Sequence, residues 1–243
     1  MKEVHMSTQV FGRVSHAEVR VWHGVSVHWA WLAGGYVLAF AVPYVLADVL
    51  AINRDLFYGL YALAVIGLFA WWSRATGYDL AAAAKRHWIA ATLLGLAAGA
   101  VLAAMVVRTE EATARPHGLE LAGALAWRGI LYGVTDGLLL SVFPILVVFA
   151  AFAGTRLHSR LAGKVVIGIV ALAASLAMTA VYHSGYSDFR SDKMTKPLRG
   201  DVIWSAPTLL TLNPIGAPIA HAGLHMSAVL HSYETDTFLP PHH

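Results

Sequence analysis

His221-Ala-Gly-Leu-His225 sets two imidazoles four residues apart, which on a helix is one turn along one face. Two nitrogens so placed can share a metal ion. The motif lacks the glutamate of His-Glu-x-x-His, so it offers ligands without a general base of its own. Zinc sites built this way take three or four nitrogen and oxygen ligands, and a catalytic one keeps a position for water. His183 and Asp136 are the candidates for the remaining ligands by depth and character. A structural reading competes: histidines near helix ends hydrogen-bond at the membrane interface, and thirteen histidines leave room for one chance spacing.

Asp136 follows Tyr132 by four residues and Arg128 by eight, so the three share one helical stripe. A carboxylate at bilayer depth is costly unless partnered, and three roles suit it: metal ligand, proton relay, or hydrogen-bond anchor to Ser, Thr or Tyr on a neighbouring helix. It is the only acid expected at that depth.

A second histidine group, His23, His28, His87 and His158, is expected at the opposite membrane face. Two imidazoles from different helices can clamp a b-type haem. The stretch Val19-Arg20-Val21-Trp22-His23, with His28-Trp29 and Gly34-Gly35-Tyr36, resembles the first helix of the membrane b-type cytochromes of nickel-iron hydrogenases and formate dehydrogenases. Thr155-Arg156-Leu157-His158 is similar to the start of a later helix in that family. The resemblance implies a haem-binding subunit, with these four histidines as the ligand pool.

Another resemblance concerns intramembrane glutamate proteases that cleave prenylated proteins. Trp127-Arg128-Gly129-Ile130-Leu131 is similar to the tail of their Glu-Glu-x-x-x-Arg-Gly motif, and His221-x-x-x-His225 to their last-helix histidine motif. Gly123 and Ala124 stand where the catalytic glutamates belong. That likeness implies a relative keeping the fold without the protease activity.

The stretch 182–211 concentrates Ser, Asp, Gly and aromatic residues with Arg190, Lys193, Lys196 and Arg199. Such a segment suits an ordered outer cap, and its bases suit lipid phosphate. A Ser187, His183, Asp188 triad is not supported, because adjacency in sequence says nothing of triad geometry.

Composition limits which elements can hold these groups. The chain has 243 residues, 58% hydrophobic and 13% charged, against about a quarter charged in soluble domains. That excludes a soluble globule, disorder and collagen, and the absence of cysteine excludes disulfide scaffolds, thiolate metal sites and iron-sulfur ligation. A net charge of +3 spread along the chain excludes nucleic acid as a partner. The first 26 residues lack the apolar core of a cleavable signal, so the first span is expected to direct insertion.

A spanning helix needs about 20 apolar residues. Uncharged runs at 27–47, 56–72, 88–107, 137–155 and 165–182 meet this, the fourth extending back past Asp136 through Tyr132. The run 202–232 contains Pro207, Pro214 and Pro218 and reads as an irregular approach followed by a helix from about 213–218 to His231. The sequence therefore predicts an all-α polytopic membrane bundle of about six helices at 27–232, outer loops at 108–128 and 183–206, an N-terminal segment 1–26 and a tail 233–243. Six spans put both termini on one side, opposite Asn53. Nine Lys and Arg against eight favour that side as cytoplasmic, in the plasma membrane of a bacterium. Trp22, Trp29, Trp31, Trp71, Trp72, Trp88, Trp127, Tyr182 and Trp204 read as interfacial aromatics. Small residues on the third and fifth spans read as close helix contacts.

Three functions remain open: a metal-dependent hydrolase, zinc or another transition metal acting on a lipid or membrane-embedded bond; a haem b subunit; and a non-catalytic accessory subunit. The lipid bilayer is a partner in each, and other membrane subunits in the last. His242 and His243 carry no weight.

Overall fold

The structure is a computed structural model that describes residues 9–190, 192–235 and 238–240, with side chains from Val25 onward except Asp192. His23, Trp22 and the His242-His243 pair lie outside the described side chains. Every regular element described is helical. α1 (Gln9–Val42) continues as a π-helical stretch, Pro43–Val49, so most of the expected N-terminal segment is continuous with the first span. α2 (Arg54–Thr76) starts where the Asn53 side chain accepts the Asp55 N–H at 2.9 Å, and stops at Gly77 with φ 70°, as left-handed helix ends favour glycine. α3 (Leu80–Lys85) is short, capped by Asp79, and leads into α4 (Trp88–Thr109).

α5 (Gly118–Ala124), α6 (Tyr132–Asp136) and α7 (Phe143–Phe152) form one rod, joined by π-helical Leu125–Leu131 and Gly137–Val142. The fourth span thus begins inside the segment expected as an outer loop. α8 (Leu161–Ser184) follows, then two 3-10 turns, α9 (Thr195–Thr211) and α10 (Gly216–His231).

Five stretches are long and apolar enough to cross a membrane: Val25–Val49, Arg54–Thr76, Trp88–Thr109, Gly118–Phe152 and Leu161–Ser184. Their outer faces are apolar, with Leu63, Ile66, Leu93 and Ile169 all more than half exposed. Water would penalise such a surface; hydrocarbon does not.

The run 202–232 differs from expectation. It is two helices, and the first begins before the run does, because Lys196, Arg199 and Asp201 lie within α9. α9 starts beside the end of α4, where Lys196 Nζ is 3.7 Å from Glu110 Oε1. It ends at the opposite, basic end of the bundle, where the Asn213 amide donates to the carbonyls of Ala83, Ala84 and Arg86. α10 then returns, and the His231 ring nitrogen meets the Glu110 carbonyl at 3.0 Å. The described start of α1 lies at the basic end, with Trp29 against Phe152 of α7. The two ends of the described chain are therefore at opposite ends of the bundle, whereas the six expected spans would bring them to one end. The first part of α9 lies outside the uncharged run because it carries Lys196, Arg199 and Asp201, and of these Asp201 is buried.

That charge is Asp201, fully buried. Its Oδ1 accepts from the hydroxyls of Ser175 at 3.0 Å and Ser205, and its Oδ2 from Thr179 at 3.0 Å. Ser205 also meets Ser141 at 2.7 Å. Asp136 is thus not the only acid at depth.

Glycines decide where α10 sits. A Cβ on Gly133 would lie 2.7 Å from Ala222 Cα, one on Gly137 2.6 Å from Pro218 Cα, and one on Gly129 2.8 Å from Met226 Cγ. On the other flank a Cβ on Gly95 would lie 2.6 Å from the Gly216 carbonyl. Gly129, Gly133 and Gly137 recur every four residues, as do Gly95 and Gly99, so α10 is held nearly backbone to backbone between two small-residue stripes. The stripes lie on the third and fourth spans. On the fifth, a Cβ at Gly168 would meet nothing within 4 Å, while Ala171, Ala174 and Ser175 are buried.

Of the expected interfacial aromatics, Trp71, Trp88 and Trp127 are well exposed, at 70%, 54% and 41%. Trp72, Tyr182 and Trp204 are buried instead.

Candidate metal centre

Asp136 is the last residue of α6, between two π-helical stretches; such turns shift side chains out of the regular register and are common where a helix carries a site. The glycine stripe brings α10 against α6, and His221 and His225, one turn apart, then face Asp136. One ligand atom from each of Asp136, His221 and His225 lies within 4.8 Å of the others, and all three residues are buried. This group can hold a metal ion.

The polar atoms are poised for one. The Nδ1 of His225 donates to the Phe238 carbonyl at 2.6 Å. A carbonyl only accepts, so Nδ1 carries a proton, and the neutral tautomer bonded this way has its lone pair at Nε2. That Nε2 faces Asp136 Oδ2 at 3.5 Å. Two acceptors that face each other repel unless a positive species lies between them. A charge-assisted N–H···O bond would close to about 2.7–2.9 Å. Ligands on a tetrahedral ion with arms of about 2.0–2.2 Å stand about 3.3–3.6 Å apart, and the separation falls there. Asp136 Oδ1, His221 Nδ1 and His225 Nε2 are buried without a hydrogen-bond partner. Burying such atoms is unfavourable unless something binds them.

The rings are fixed. His221 packs against Trp204 with centroids 4.1 Å apart and the rings inclined at 43°, and it runs nearly parallel to His225 at 5.6 Å. His225 sits edge-on to Tyr132 at 4.7 Å. The carbonyl partner on Nδ1 is the kind of outer contact that orients a metal-bound histidine.

His183 lines the same cavity from the last turn of α8 but is not one of the three-residue group. Its Nδ1 is 2.8 Å from the Thr179 carbonyl, so its Nε2 is the nitrogen left for the cavity. The Ser187, His183, Asp188 arrangement is no triad: Asp188 pairs with Lys193 at 3.0 Å and His183 bonds its own helix. Arg128 leaves the expected stripe and makes a two-point bond to Asp55, 3.1 Å at each nitrogen, tying the start of α2 to the rod.

Of the haem candidates, His28 Nδ1 accepts the Trp72 indole N–H at 3.2 Å. His87 is exposed at the start of α4 with φ 52°, and His158 lies edge-on to Phe149. Each has separate surroundings, and nothing described supports a haem between them.

Sequence reasoning missed a cluster of phenols beside the centre. Tyr58, Tyr61, Tyr132, Tyr182 and Tyr186 are buried together. The Tyr132 and Tyr182 hydroxyls are 2.8 Å apart, and those of Tyr182 and Tyr186 are 3.0 Å apart. Tyr58 stacks on Tyr132 at 4.3 Å. The spacing Tyr182, Tyr186 and Tyr58, Tyr61 was a signal, since residues three or four apart share a helical face.

The cavity over the centre has a volume of about 460 Å³. Leu102, Met105 and Leu224 form its apolar wall. The C-terminal tail closes one side through Phe238 and Pro240, with Leu239 fully buried.

No protein-family model, curated protein or solved structure matches this chain.

Proposed function

We propose that the protein is an integral membrane metalloprotein in which Asp136, His221 and His225 hold one divalent transition metal, zinc being the best fit to nitrogen and oxygen donors. The observation that carries this is the 3.5 Å separation of His225 Nε2 and Asp136 Oδ2, two acceptors too far apart for a charged hydrogen bond and spaced for a shared ion. Three protein ligands leave one position open, and His183 lines the cavity on that approach. A metal so bound lowers the pKa of a water and polarises a carbonyl or phosphoryl oxygen. The chain's own residues hold the ligand geometry, exclude bulk water and present the cavity; the reaction this supports is hydrolysis of a bond in a lipid or membrane-embedded substrate. By the same reading α9 and α10 each cross most of the bilayer, giving seven passes. The end carrying Arg74, Lys85, Arg86, Arg156, Arg160 and Lys164 faces the cytoplasm.

The test is elemental analysis of detergent-purified protein. One metal per chain is expected, and its loss in the His221→Ala/His225→Ala double variant with folding kept. Metal-free protein after equilibration with zinc, cobalt and manganese, or equal metal in the variant, would overturn the proposal.

A further inference from the structure

The cavity has chemistry beyond its floor. Lys193, Lys196 and Arg199 line it from the turn before α9 and the first two turns of that helix, all exposed at the rim. Lys193 is matched by Asp188 at 3.0 Å and Lys196 by Glu110 at 3.7 Å. Arg199 has no acidic partner among the described residues. The opposite wall is apolar: Leu102 and Leu224 are buried, and Met105, 37% exposed, leads out to the lipid-facing side of α4. From Thr109 at the rim to Leu102 is seven residues of helix, a depth of about 10 Å.

Charge bookkeeping narrows what fits. With a divalent ion bound, Asp136 cancels one of its two charges, and the Lys193 and Lys196 pairs are neutral. One positive charge then remains on the floor and one on Arg199. The space between carries a surplus of two, next to an apolar exit toward the bilayer. From this we infer that the cavity binds an amphiphile with a phosphate monoester headgroup, its dianion between the metal and the Arg199 guanidinium and its hydrocarbon chain along Leu102, Met105 and Leu224. The inference rests on the metal reading above and names the substrate class for that site. Arg199 matches two phosphoryl oxygens in a fork that a lysine cannot offer, and Lys196 lies one turn away to take up the third when Glu110 releases it.

The hydrolytic step balances simply. Water adds to phosphorus, the ester P–O bond breaks, the alcohol oxygen takes a proton, and inorganic phosphate and a lipid alcohol leave.

The experiment measures binding of dodecyl phosphate to zinc-loaded protein in a neutral maltoside micelle, by isothermal titration, with inorganic phosphate and dodecanol in parallel. Metal content is read for every sample. Saturable binding of dodecyl phosphate, at least tenfold tighter than either parallel compound and weakened at least tenfold in Arg199→Gln with its zinc retained, is the expected result. Equal binding of inorganic phosphate would make this a free-anion site and overturn the amphiphile; equal binding by Arg199→Gln would overturn the headgroup assignment. Arg199→Lys is expected to recover only part of the affinity. If the protein takes no metal yet binds dodecyl phosphate through Arg199, the metal reading fails and the headgroup assignment survives. If it takes metal and ignores the phosphate, the reverse holds.

Discussion

Asp136 and Asp201 show two ways in which a carboxylate is kept inside a helix bundle. Asp201 is satisfied by three hydroxyls on its own and a neighbouring helix; Asp136 has one oxygen 3.5 Å from His225 Nε2 and the other without a hydrogen-bond partner. The first carboxylate is satisfied within the protein, and the second belongs to a group that could hold a cation. Substitutions separate them. Asp201→Ala removes the shared acceptor of the Ser175, Thr179 and Ser205 hydroxyls and opens a hole among them, and a loss of about 3 kcal/mol in unfolding free energy is expected, read by denaturation in detergent with metal stoichiometry unchanged. Asp136→Asn keeps the shape and removes the charge. Metal affinity is expected to fall at least tenfold, with the metal-free protein no less stable than the metal-free parent. If Asp201→Ala also emptied the metal site, the two acids would not be independent.

The positioning of these residues belongs to helices rather than to side chains. The glycines at 129, 133 and 137 hold α10 where its histidines reach Asp136. Gly133→Ala puts a methyl against the Ala222 backbone, which cannot move aside, so a destabilisation of about 1–3 kcal/mol and weaker metal binding are expected together. Gly67→Ala in α2 is the control: a Cβ there meets nothing, and its helix is expected to gain up to about 1 kcal/mol. Thermal unfolding of the two variants checks both. Much of this was legible in the sequence. The His221 and His225 spacing and the depth of Asp136 pointed to the centre, since helical periodicity alone aligns ligands one turn apart. What stayed hidden had physical causes. Charge cut the first part of α9 off from the uncharged run, because Asp201 looks like a loop residue until its three partners are known. Tyr182 and Trp204 read as interfacial because amphipathic rings suit both a headgroup region and a buried hydroxyl network. His183 lines the same cavity, as its depth suggested, but is not one of the three residues whose ligand atoms lie within 4.8 Å of one another.

Across the whole molecule, the parity of passes is the clearest consequence. Reporters fused after Ser232 and inserted at Asn53 are expected on one side of the membrane and a reporter at Tyr78 on the other, because α10 ends beside Glu110 while Asn213 sits at Ala83. Opposite sides for Ser232 and Asn53 would restore an even number of crossings. The fold also closes its own site: the chain end returns so that the Phe238 carbonyl holds His225, coupling tail docking to ligand orientation. Ending the chain after Tyr233 is therefore expected to weaken metal binding without dismantling the bundle, as judged by circular dichroism and metal content. The most direct measurement of the central claim is the visible absorption of metal-stripped protein titrated with cobalt(II). A binding curve that saturates at one equivalent, with the intense d–d band of a four-coordinate nitrogen and oxygen site that Asp136→Asn diminishes, is the expected result; the weak spectrum of hydrated cobalt, unchanged by the protein, would contradict it.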